Sequence, residues 1–132
     1  MATGRRDYTW GFLSEEASEG RYKEQFIKYF NTIVFPSETK VVYEYNIPTG
    51  KILAIYRVDI SCNSGVDCRI ITAVDLTTEI DRFFSGENSI IFSDKSPRVL
   101  QAGQNFRVIF YNLDIVDVQF IGLVNALLMD VI

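Results

Sequence analysis

Two cysteines and one short run of carboxylates are the residues whose type and spacing could do chemistry in this 132-residue chain. Cys62 and Cys68 stand at the two mouths of Ser61-Cys62-Asn63-Ser64-Gly65-Val66-Asp67-Cys68, flanked by apolar strand-like runs, so the segment reads as a hairpin loop. Cysteines at the mouths of such a loop can come within bridging reach, and a disulfide closing so short a loop contributes about 2 kcal/mol. The same spacing also suits two unpaired thiols, and the sequence leaves both readings open. No metal is expected, because two thiolates without further Cys or His do not complete a tetrahedral shell. The chain has no histidine, which excludes Ser-His and Cys-His nucleophile pairs, His-ligated zinc and facial-triad iron.

The carboxylates Asp75, Glu79 and Asp81 lack the glycine and spacing of a calcium loop, so a solvated face is expected there. Glu44, Asp59 and Asp75 are the groups a glycosidase would recruit, but a small sandwich seldom supplies the cleft. No Gly-x-x-x-x-Gly-Lys phosphate loop occurs, and Gly103-Gln104 reads as a turn. Tyr43, Tyr45, Tyr56 and Tyr111 suit either a sugar-stacking platform or partly buried packing. No catalytic residue and no cofactor are therefore expected, and the chain is read as a non-enzyme.

A formal charge of −4 without any basic run speaks against nucleic acid as a partner, since phosphate affinity needs clustered Lys and Arg. Arg5-Arg6 is the densest basic cluster, and Asp7 follows at once. The N-terminus lacks a signal-peptide pattern, and Gln119, Asn125 and Asp130 interrupt the longest apolar stretch before it reaches membrane-spanning length. A soluble protein with no membrane partner is expected.

The elements that would position these residues are mostly strands. Residues 1–17 read as an extended arm whose Tyr8, Trp10 and Phe12 share one side, and which docks on the chain's own sandwich or on a neighbour. Residues 18–31 predict an amphipathic helix, with Ser18 as N-cap, Glu19–Lys23 and Glu24–Lys28 as i,i+4 pairs, and Tyr22, Phe26, Ile27 and Phe30 as its stripe. From residue 32 to 132 the pattern is a β-sandwich domain. Strands are expected at Thr32–Phe35, Lys40–Asn46, Lys51–Ser61, Cys68–Asp75, Ser89–Ser93, Arg98–Gln101, Asn105–Asn112 and Val116–Val131. Thr77–Phe84 suits either a short helix or an irregular strand. The fold class is mainly β, a two-sheet antiparallel sandwich, jelly-roll-like, with the arm and the one helix added.

The last strand is apolar on both sides. Val118, Phe120, Val124, Ala126 and Leu128 fall on one face, and Ile121, Leu123, Leu127, Met129 and Val131 on the other. Two apolar faces need two covers. Ile121, Leu123, Leu127 and Met129, with Tyr8, Trp10 and Phe12, are therefore the expected subunit interface, in a homo-oligomer or with other subunits.

Tyr45-Asn46-Ile47-Pro48-Thr49-Gly50-Lys51, and Pro97-Arg98-Val99-Leu100-Gln101-Ala102-Gly103-Gln104 before an alternating strand and a final apolar one, resemble small β-sandwich structural proteins of viruses and phages. The resemblance spans about Val34 to Ile132 and rests on pattern. It implies a capsid, head-decoration or tail-associated protein that oligomerises, often as a trimer, with itself and other virion proteins, in a virion assembled in the host cytoplasm. A carbohydrate- or receptor-binding sandwich module is the alternative.

Overall fold

Alternating apolar and polar residues, punctuated by Pro, Gly and Asn, build strands throughout. The computed structural model describes residues 23–91 and 97–130, and every regular element within them is a strand. These are β1 (Lys23–Val34), β2 (Thr39–Asn46), β3 (Lys51–Cys62), β4 (Cys68–Val74), β5 (Thr77–Phe84), β6 (Gly86–Ile91), β7 (Arg98–Gln101), β8 (Asn105–Tyr111) and β9 (Val118–Asp130).

The pairing follows one rule. Strands β1 and β9, β2 and β8, β3 with β7 and β6, and β4 and β5 are antiparallel partners, so the chain is a single long hairpin. Its successive rungs roll into opposite layers. One sheet has the order β1-β9-β3-β6, with β7 beside the first half of β3; the other is β2-β8-β4-β5. This is the jelly-roll form of the expected antiparallel sandwich.

The two inner faces meet in one aromatic and aliphatic core. Phe106, Phe110 and Phe120 are fully buried, and Phe110 and Phe120 lie 4.6 Å apart between ring centroids. The inward side of β9 is the predicted set Val118, Phe120, Val124, Ala126 and Leu128. Gly122 shares this side opposite Phe30 of β1, whose ring covers it: a Cβ at Gly122 would lie 2.0 Å from the ring. Glycine is required there by the close approach of the aromatic.

Both lateral gaps between the sheets are clipped. Lys40 of β2 donates to Thr32 Oγ1 at 2.8 Å and to the Ile33 carbonyl of β1 at 3.3 Å. Across the other gap the Arg98 guanidinium of β7 makes a two-pronged pair with Glu79 of β5, at 2.7 and 2.8 Å.

The structure corrects three expectations. Residues 23–31 of the expected helix over 18–31 are strand, while Ser18 to Tyr22, like the arm over 1–17, lie outside the described residues. The apolar spacing 26, 30, 34 is four residues, a multiple of two as well as nearly one helical turn, so it serves either element. Pairing along the full length of β9 selects the strand, because β9 needs a neighbour on that side. Alternation alone puts Val41 on one face with Tyr43 and Tyr45, but a bulge between Val41 and Tyr43 shifts the register and leaves Val41 exposed. A second bulge, between Ile55 and Arg57, splits the face on which alternation alone puts Ile52, Ala54, Tyr56, Val58 and Ile60 together. Leu53, Ile55, Val58 and Ile60 line the main core instead, while Ile52 and Ala54 belong to a separate cluster.

Candidate functional site

The residues with chemical potential are scattered and engaged with local partners. Glu44 on β2 pairs with Arg107 at 2.8 Å, on the sheet opposite to the one that carries Asp59. Asp59 accepts from Arg57 Nε at 3.0 Å, Ser89 Oγ at 2.6 Å and Asn125 Nδ2 at 3.4 Å. Asp81 accepts two bonds from Arg69, and this pairing holds its carboxyl below the usual aspartate range. Glu79 is taken by Arg98, and Asp75 accepts the Asn105 amide at the β4–β5 turn. Among the described residues no group of three or more His, Cys, Asp or Glu is placed to hold a metal.

The tyrosines do not gather into a platform. Tyr43 and Tyr45 turn inward onto Phe30 and Phe26, with centroids 5.2 and 4.6 Å apart. Burial first, and then Tyr45, push the Tyr43 phenol upward in pKa. Tyr111 lies under the Arg69 guanidinium at 5.1 Å. Tyr56 packs with Val99 against Ile52, Ala54 and Met129.

Both cysteines are buried and carry free thiols. Burial pushes the Cys62 thiol up. Cys68 accepts the Leu113 amide at 3.4 Å and donates toward Ser64 Oγ at 3.3 Å.

The outward side of the β1–β9–β3 sheet is the apolar surface. Ile121 and Leu123 are half-buried there, beside β1 residues Asn31 and Tyr29. Ile27, Tyr29 and Ile33 on β1 are exposed, Tyr29 to 63%. A hollow of about 300 Å³ lined by Asp59, Ser61, Ser89, Ile121 and Leu123 adjoins them. Leu127 and Met129, expected in the same interface, are already enclosed, Met129 within the cluster of Ile52 and Ala54. Tyr8, Trp10 and Phe12 lie outside the described residues.

A second apolar surface escaped the sequence reading. The β1–β2, β3–β4 and β8–β9 loops meet at one end of the sandwich, and Phe35, Val66, Leu113, Ile115 and Val116 are exposed on them, Ile115 to 90%. Hydrogen bonds hold this end rigid. Buried Asn112 donates to the Val34 and Val116 carbonyls at 2.9 Å each and accepts the Asp114 amide at 2.8 Å. Asp114 accepts the Gly65 amide at 2.9 Å and Ser64 Oγ at 3.2 Å, and these bonds, the amide first, hold its carboxyl below the usual range. The available signal was Leu113-Asp114-Ile115-Val116-Asp117, where apolar residues sit in a polar turn instead of in the strand.

No family model and no curated protein matches the sequence. Among solved structures, the chain is similar to a subunit of Bacillus endospore appendages, described as disulfide-linked pili, with TM-score 0.52 and 8% identity over 85% of this chain and 91% of that one. A de novo designed double-stranded β-helix reaches 0.39, with 15% identity over 75% and 97%. The virus-like particle of the Macrobrachium rosenbergii extra small virus reaches 0.35, with 9% identity over 79% of each chain. The pilus subunit shares the fold of this chain.

Proposed function

We propose that the protein is a non-enzymatic structural subunit that works by assembling with copies of itself, as a capsid, decoration or tail-associated protein of a virus particle. One observation carries this reading: the outward side of the β1–β9–β3 sheet leaves Ile27, Tyr29 and Ile33 exposed around half-buried Ile121 and Leu123, over a core that is already complete. Contiguous apolar surface on a folded domain marks a contact with another molecule. Edge pairing through β1 is a weaker route. Lys28, on the inward-facing side of β1, lies over the Phe26 ring at 5.0 Å, and Lys40 occupies the Ile33 carbonyl. Charges so placed blunt an edge strand, which leaves the face as the contact.

The pairing of Glu44 and Asp59 with arginines, the use of Asp75 as acceptor for the Asn105 amide, and the spread of the tyrosines over both sheets count against the hydrolase and sugar-binding readings. The fold shared with a pilus subunit favours a second reading, a subunit of a filamentous appendage. Electron microscopy and sedimentation of the purified full chain test both. Closed shells, rings or trimers support the particle reading, filaments support the appendage, and a monomer at tens of micromolar overturns both.

A further inference from the structure

We infer that the apolar loop end of one copy receives the aromatic N-terminal arm of the next, so that subunits join head to tail. This rests on the self-assembly reading and deepens it by adding, beside the face, a second contact whose two halves it names.

The receiving surface is preformed. Leu113, Ile115, Val116 and Phe35 project from loops that Asn112 and Asp114 tie together, so seating a partner orders little further chain. The same three loops carry Glu38, Asp67, Asp114 and Asp117 and no lysine or arginine. The surface therefore wants a partner that is aromatic at its centre and basic at its margin. Within this chain, residues 5–12 have that chemistry: Tyr8, Trp10 and Phe12 alternate behind Arg5-Arg6, whose two charges leave the segment net positive after Asp7. Three such rings bury about 150–250 Å² each, a useful fraction of a specific interface.

Placement says which copy is reached. β1 begins at Lys23, opposite Met129, and ends at Val34 beside the loops, so the arm departs from the end remote from its own apolar loops. At about 3.3 Å per residue those ends lie about 36 Å apart, and residues 12 to 23 would have to run fully extended to bring Phe12 back. A copy stacked end to end is met without that demand. A heterologous contact of this kind closes into rings or grows into open arrays.

The test is a capture experiment with full-length chains. The tagged chain carries Tyr8→Ser, Trp10→Ser and Phe12→Ser, leaving its loops free. It is offered either an untagged Ile115→Asp chain, whose arm is intact, or an untagged chain lacking the three rings. Circular dichroism of every variant is matched to the parent, and Leu113→Ser replaces Ile115→Asp if the latter fails to fold. Capture of the arm-bearing chain should exceed that of the ringless chain by about tenfold or more, and should lose that excess when the tagged chain also carries Ile115→Asp. Equal capture of the two, or an excess that survives Ile115→Asp in the tagged chain, overturns the inference and leaves the self-assembly reading standing. No capture of either chain, together with a monomeric parent, overturns both.

Discussion

The two outward faces of the sandwich distribute apolar and charged groups differently. The β2–β8–β4–β5 face sets the ion pairs Glu44–Arg107 and Arg69–Asp81 among exposed Val41 and Phe83, while the β1–β9–β3 face gathers Ile27, Tyr29, Ile33, Ile121 and Leu123 and has its ion pair, Arg57–Asp59, on β3. Both faces cover the same core, so fold stability does not explain the difference. Charged side chains keep a surface in water, and apolar ones gain only when another surface removes the water. The comparison separates the residues that fold the domain from those that join it to something else.

The largest effect should appear in the layer common to both faces. Phe120→Ala removes a ring that touches Phe30, Phe84 and Phe110, and should cost about 3–5 kcal/mol in denaturant unfolding. Gly122→Ala sets a methyl against the Phe30 ring and should cost about 1–3 kcal/mol by displacing it. An unchanged midpoint for either substitution would mean that the core is not packed as described.

The faces themselves should then part company. Ile121→Lys with Leu123→Lys should remove the face-to-face contact and weaken self-association in sedimentation, sparing the head-to-tail contact, while leaving the unfolding midpoint of the monomer close to the parent's. Glu44→Ala with Arg107→Ala, on the other face, should leave association intact and cost only about 0.2–1 kcal/mol. Equal sensitivity of association on the two faces would remove the contrast.

Acid should reveal a smaller effect at the loop end. Asp114 has a folded pKa below its ordinary value, so its contribution is present above the usual aspartate range and is lost as pH falls through the lowered folded value. Amide exchange at Gly65 should accelerate only in that acid window, and Asp114→Asn should flatten the dependence. The free, buried thiols of Cys62 and Cys68 should react with a thiol reagent only on unfolding. Two thiols released by denaturant without reductant confirm the free state, and none indicates a bridge.

Much of this was legible in the chain itself. Strands β2, β3, β4, β7 and β8 emerged from alternation and turn residues close to their observed bounds, and both faces of β9 were assigned correctly from period two as far as Met129, Val131 lying outside the described residues. The first strand was legible as strand only from Thr32 on, because four-residue apolar spacing before it serves a helix and a strand alike and only the pairing with β9 decides. The bulges at Val41/Tyr43 and Ile55/Arg57 were equally hidden, since a one-residue register slip leaves no mark on composition.

Local alternation determined that this chain makes an antiparallel sandwich, because period-two burial depends only on neighbours in sequence. Tertiary structure alone decided which apolar residues remain on the surface. Met129 is enclosed and Ile121 is not, although they share a strand and a face, because enclosure depends on what distant segments bring alongside. The apolar loop end likewise exists only because the roll brings the connections around Phe35, Val66 and Ile115 to one pole of the sandwich.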